Sequence, residues 1–249
     1  MKQSFLALVV VAIWLGLWQL SAEMRWVSPV FLPSPIASAQ SLVAGLSHGT
    51  LTGWTLSTIG RMFNGWVLAC AIGMVLGAVI GISPALRGWL NPTLEVLRPL
   101  PASAMMPVFI GLLGFTPHMI LAVIAFGALW PVLLSTMHGF ANIEPRLVEV
   151  GRLLGLSRAA FIFKIGLPSA LPDALAGMRL ALTVSLILAV VGEMLTAQPG
   201  LGRAILFAAR SFKSADLFAG VMVLGLIGFS CNALLAAIER RALAWQQTR

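Results

Sequence analysis

Apolar residues run through this chain in long uncharged stretches, and the few charges fall between them. Residues 3–22 form the first such run, and 62–86, between Arg61 and Arg87, form the second. Residues 99–143 contain no Asp, Glu, Lys or Arg, and the turn signal GFTPH at 114–118 divides them into two. A fifth run, about 173–198, carries Arg179 and Glu193, and a sixth, 217–238, lies between Asp216 and Glu239. A membrane helix needs about 20 apolar residues, so the pattern predicts an all-α polytopic membrane protein of six transmembrane helices. The first run follows a single Lys2 and reads as a retained helix, because the LSAEM after it lacks the small-x-small pattern of a signal-peptide cleavage site.

Within the second run, Gly65, Ala69, Gly73, Gly77 and Gly81 recur every four residues. Membrane helices gain little from hydrophobicity when they associate, and they pack closely where small residues let backbones approach. The stripe therefore predicts a helix-packing face.

Composition agrees with a membrane location: 59% of the 249 residues are hydrophobic and 10% are charged. The formal charge of +8 is spread between the apolar runs without a basic cluster, so it reads as topology signals and not as a nucleic-acid surface. With six spans and a cytoplasmic N-terminus, the cytoplasmic side receives eleven Lys and Arg against five outside, which predicts that both termini are cytoplasmic. Cys70 and Cys231 lie in apolar runs and, with three scattered histidines, offer no disulfide or metal site. GLSHG at 45–49 fits a hydrolase elbow by its letters only, since no strand–helix context surrounds it. No residue is assigned to covalent catalysis.

The polar interruption EVGRLLGLSRAAFIFKIGLPSALP, 149–172, falls in the cytoplasmic loop between the fourth and fifth spans. Asn142 suits a helix cap and Pro145 a first turn. Glu149 and Arg152 share a face and are expected to pair, with an arginine elsewhere as the other partner for Glu149. Gly155 suits a left-handed helix end. A second short helix is expected from Ser157 through RAAFIFKI, until Pro168 stops it. Its apolar side chains need a partner: the bundle's own cytoplasmic end, a separate protein, or the membrane interface.

The spacing of Glu149, Gly155, Ile165, Leu167 and Pro168 resembles the EAA-loop signature of permease subunits of binding-protein-dependent ABC importers, with Val150 and Gly151 in place of the two alanines. FLPSP at 31–35, LRPLPASAMMPVFIGLLGF at 97–115, GMRLAL at 177–182, GEMLTAQPGLG at 192–202 and IERR at 238–241 are similar to the nitrate, sulfonate and taurine branch. The resemblance implies a type I permease fold. It assigns residues 1–53 to an N-terminal helix and periplasmic segment, 54–240 to the permease domain with a coupling loop at 140–172, and 241–249 to a cytoplasmic tail. It implies that Glu149, Gly151, Arg152, Gly155, Leu156, Ser157, Arg158, Phe161, Ile165, Leu167 and Pro168 form the loop that couples to an ATPase. The partners implied are a second permease subunit in a homodimer, two ATPase subunits, and a periplasmic or lipid-anchored solute-binding protein, in a bacterial inner membrane. This chain itself would bind no cofactor, ATP and Mg being held by the ATPase; no phosphate-binding Gly-rich loop with Lys and Ser/Thr occurs in it. The solute implied is a sulfonate, taurine, nitrate or a pyrimidine precursor. A stand-alone secondary transporter or channel is the rival reading, and the loop spacing argues against it.

Intramembrane charges usually face a cavity or a partner. Glu193 and Arg179 are therefore candidates for the pathway or a gate, with Ser103, Met106, Thr183 and Ser185 as further lining candidates. Serine and threonine also commonly bond back to their own helix.

Overall fold

The computed structural model describes residues 2–244. The last five residues, which include Arg249 and most of the expected 241–249 tail, lie outside the described residues.

The described chain is helical almost throughout. Helix α1 spans Lys2–Glu23, α2 Pro35–Ser47, α3 Thr50–Ile82, α4 Pro84–Leu97, α5 Met106–Leu113 and α6 Pro117–Ala141. Then come α7, Pro145–Leu153; α8, Arg158–Phe161; a π-helical turn, Ile162–Gly166; α9, Leu167–Thr196; α10, Leu201–Arg210; and α11, Ser214–Ala242. Three helices open on the same chemistry. Ser34, Ser83 and Thr116 each precede a proline at the first helical position, and their hydroxyls accept the N–H of Ala37, Leu86 and Met119 at 3.1, 3.3 and 3.3 Å. The proline has no N–H to leave unpaired, and the hydroxyl satisfies one of those that remain.

Four helical stretches among the described residues are long and apolar enough to cross a membrane: Thr50–Ile82, Pro117–Ala141, Arg158–Thr196 and Ser214–Ala242. The stretch read as the third span differs most from expectation. Pro99 and Pro101 exclude regular helix, residues 98–105 form successive turns such as Ala104 N–H to Pro101 O at 2.9 Å, and only α5 follows. At 8 residues, α5 is about 12 Å long.

The chain forms two compact units. One comprises residues up to Thr58 together with Glu193–Ile227. It contains α1, α2, the opening turns of α3, α10 and the first half of α11. Here the Trp18 indole N–H donates to Pro33 O at 3.0 Å and its ring lies 5.4 Å from that of Phe218. Ser41 donates to Asp216 at 2.6 Å, and the Ser214 hydroxyl donates to Val30 O.

The other unit comprises Ile59–Gly192 and residues from Gly228 onward. Its core joins α3, α6 and α9 through Ala69, Cys70, Ala128, Val132 and Ala181, with Trp66, Met74 and Met178 against them. The α3 glycines abut α6. A Cβ at Gly65 would lie 2.7 Å from Ile124 Cβ; at Gly73, 2.9 Å from Val132 Cβ; at Gly77, 2.6 Å from Leu133 O; and at Gly81, 2.7 Å from Met137 O. Ala69, the one non-glycine of the stripe, is fully buried. On the other side of α6, Gly139 abuts the Ala170 backbone and Gly177 abuts Pro131 O, so α9 also approaches at backbone distance.

Candidate functional site

The segment 145–168 is built as a braced elbow. Glu144 is the N-cap of α7 and makes no side-chain capping bond, with Pro145 next to it. Asn142, expected to start this helix, ends the preceding one: its N–H bonds to His138 O at 3.0 Å and its side-chain amide to the His138 ring. Two residues separate Asn142 from Pro145, too many for an Asn cap whose helix begins on the proline.

The end of α7 is a Schellman motif. Leu156 N–H bonds to Gly151 O at 3.1 Å, Gly155 N–H bonds to Arg152 O at 3.0 Å, and Gly155 has φ +60°. Ser157 then caps α8 by accepting the Ala160 N–H at 3.2 Å. The two arms are closed by side chains. A Cβ at buried Gly151 would lie 2.8 Å from the Phe161 ring and 3.3 Å from Ile165 Cδ1, so Phe161 and Ile165 pack onto the space that residue leaves.

Pro168 does not stop the second arm. Regular helix would press its ring on the carbonyl four residues back. Instead the helix widens into the π-turn, where Leu167 N–H bonds to Ile162 O, and continues into α9. Glu149, Arg152 and Arg158 are exposed, and no side-chain hydrogen bond or ion pair among the described residues joins Glu149 to an arginine. Three residues of helix between exposed charges leave both to water, where such a pair is worth little. Flanking the elbow, Leu153 and Leu154 are 87% and 69% exposed, and Phe163 is exposed as well. A Cβ at Gly155 would meet nothing within 4 Å.

A second constellation surrounds Glu193, which is fully buried. The Thr58 hydroxyl lies 3.0 and 2.9 Å from the two carboxylate oxygens, and Gly202 N–H donates to Oε2 at 2.9 Å. Leu201 N–H donates to Thr58 Oγ1 at 2.9 Å. The first two amides of α10 are thus held by a carboxylate from α9 and a hydroxyl from α3, the placement that satisfies a helix N-terminus and its dipole. Gly200, in extended backbone, is where the chain passes the carboxylate; a Cβ there would run into the Glu193 carboxyl group.

Arg179 Nε donates to Asn232 Oδ1 at 2.8 Å, and its Nη1 lies 3.5 Å from Glu239 Oε2, so this cation ties α9 to α11. Ser185 is buried and donates to Ala181 O at 2.8 Å, its own helix. Met106 is fully buried, while Ser103 and Thr183 are exposed; Met106 N–H bonds to Ser103 O at 3.3 Å, and no side-chain hydrogen bond among the described residues joins the three. Thr58, Gly200, Asn232 and Glu239 escaped the sequence reading. The Pro-Gly-Leu-Gly at 199–202 was the available signal, since closely spaced glycines mark a tight backbone approach.

Residues 69–243 match the family described as "Binding-protein-dependent transport system inner membrane component". The putative aliphatic sulfonates transport permease protein SsuC of Bacillus subtilis is 31% identical over 248 residues, covering 100% of this chain and 88% of that protein. The taurine transport system permease protein TauC of Escherichia coli is 28% identical, covering 98% and 90%, and the nitrate import permease protein NrtB of Leptolyngbya laminosa is 29% identical, covering 94% and 85%. Among solved structures, an inward-facing methionine ABC transporter MetNI superposes with a TM-score of 0.70 at 16% identity, over 79% of this chain and 97% of that one. An amino acid ABC transporter solved with histidines gives 0.63 at 17%, over 80% and 97%; both likenesses are of fold.

Proposed function

The chain belongs to the family of inner-membrane components of binding-protein-dependent transport systems and is a membrane-spanning permease subunit of an ABC importer, and from that premise we propose that its 149–168 loop is where a separate ATPase subunit drives it. The observation that carries the reading is the elbow itself: Leu153 and Leu154 stand exposed beside Gly155, on a hinge made rigid by the packing of Phe161 and Ile165 at Gly151. Burying a leucine in a partner's groove gains about 1.5–3 kcal/mol. Two of them on a stiff mount form a small contact able to transmit a rigid-body movement.

In this reading the importer holds two copies of the chain and two ATPase subunits, which carry ATP and Mg. A solute-binding protein delivers to the outer face. Both termini are cytoplasmic, in a bacterial inner membrane, and the permease domain extends from 54 to 240 with a short tail after it. The solute is a small organic anion of the sulfonate or taurine type, which the names of the similar permeases support. Glu193 serves the pathway by fixing α10 and not by touching solute, a role supported by its bonds to Thr58 and Gly202.

Affinity purification from the native membrane in mild detergent tests the proposal. The expected result is an ATPase subunit in equal amount, with ATP-driven uptake lost and ATPase stimulation by binding protein abolished in Gly155→Asp. Recovery of the chain alone, moving solute without ATP, would overturn it in favour of a secondary transporter.

A further inference from the structure

Within the unit formed by the N-terminal segment and 193–227, a cavity of about 790 Å³ lies between α2, the start of α3, α10 and the start of α11. Small-molecule sites typically fall between about 300 and 1,000 Å³. Its charged and titratable lining is Arg203, Lys213, His48 and Asp216, two cations against one carboxylate, and its apolar wall includes Trp54, Leu51, Ile205 and Phe207.

The charges are not equally occupied. Asp216 accepts a hydrogen bond from Ser41 at 2.6 Å, and His48 Nδ1 lies 2.7 Å from Ala44 O. The Arg203 guanidinium and the Lys213 ammonium make no hydrogen bond or ion pair among the described residues. Arg203 is also the third residue of α10, in the first turn, where the helix dipole favours an anion over a cation. Its position is fixed from behind, since the two preceding amides are held by Thr58 and Glu193 and Thr58 is one turn from Trp54 in the opposite wall.

We propose that this cavity is a receiving site for an organic anion: Arg203 and Lys213 take the oxygens of a sulfonate or carboxylate head, and Trp54, Ile205 and Phe207 enclose its carbon chain. The inference rests on the importer reading and adds to it a location and a selection rule. A guanidinium presents a fork of N–H donors to such a head. An anion of four or five heavy atoms fills a small part of this volume, so the site selects for an anion with an apolar body over an inorganic one. An anionic lipid headgroup shares the head chemistry, and the membrane composition separates the two.

The test uses the full chain in nanodiscs of phosphatidylcholine, titrated calorimetrically with ethanesulfonate, butanesulfonate and nitrate. Butanesulfonate is expected to bind, with a gain of about three- to fourfold per methylene over ethanesulfonate and nitrate at least tenfold weaker. Arg203→Gln with Lys213→Gln should weaken butanesulfonate at least tenfold, whereas Arg210→Gln, outside the cavity, should leave it within twofold. Phe207→Ala should flatten the dependence on chain length, which a loss of folding would not do selectively. Equal weakening by Arg210→Gln would reduce the effect to diffuse surface charge and overturn the site. Nitrate matching butanesulfonate, or loss of binding when phosphatidylglycerol replaces phosphatidylcholine, would also overturn it, the latter assigning the cavity to lipid. Gly155→Asp should bind butanesulfonate normally, so failure of the loop as the coupling point and failure of this site give different results.

Discussion

Gly77 on α3 and Gly155 at the elbow are both held to glycine by geometry, and for opposite reasons. Gly77 has ordinary helical backbone and no room: a Cβ would sit 2.6 Å from Leu133 O and 2.7 Å from Thr136 Cβ. Gly155 has room on every side and an unusual backbone, with φ +60°. The first is a property of packing between helices, the second of the chain's path between them. Substitution at the first should therefore be felt as assembly and stability, and at the second as the exchange of movement with whatever docks on Leu153 and Leu154.

That contrast is open to attack in a graded series. The largest effect is expected from Gly77→Val, which forces branched carbon onto a backbone carbonyl: the folded yield in detergent should collapse, and a wild-type yield and unfolding temperature would refute the packing role. Gly200→Ala comes next, since its Cβ meets the Glu193 carboxylate and must push α10 off its anchor; overpacking of this kind costs about 1–3 kcal/mol. Faster hydrogen exchange at Leu201 and Gly202 should report it. For Gly155→Asp the expectation is a near-normal unfolding temperature with at least tenfold slower uptake. Gly155→Asn should keep most uptake, because Asn tolerates the left-handed region, and equal damage by both would move the cause from docking charge to backbone path. The smallest effect belongs to Gly53→Ala, where the helix is ordinary and nothing lies within 4 Å; a slight rise in stability, about 0.5–1 kcal/mol at most, would complete the series.

How far the fold was legible follows the range of the forces involved. The helical, membrane-spanning character was legible because lipid demands long apolar runs, and the spacing of the α3 stripe because a helix repeats locally. The Gly155 elbow was legible for the same reason, its bonds reaching no further than Gly151. Glu193 was visible as a costly buried charge, but its partner Thr58 is 135 positions away and Thr58 has no local mark. Arg179 likewise meets Asn232 and Glu239 across 53 residues or more, and only the fold pairs them. In the third run the prolines leave only α5 as regular helix, a shorter piece than the apolar length of the run suggests, and the second arm differs because proline was read as a stop where the helix instead widened.

That widening sets a rule about length. An α-helix turns about 100° per residue, and the π-turn at Ile162–Gly166 takes up one extra residue without interrupting the helix. Everything before it, including the Phe161 that fills the space at Gly151, is thereby rotated by about that angle relative to α9. Between the elbow and α9 the chain is thus keyed by residue count: a change of side chain at Phe163 alters one exposed group, whereas one further residue inserted there, with the π-turn already taken up, would turn the whole elbow by about 100° and present Leu153 and Leu154 to a different neighbour.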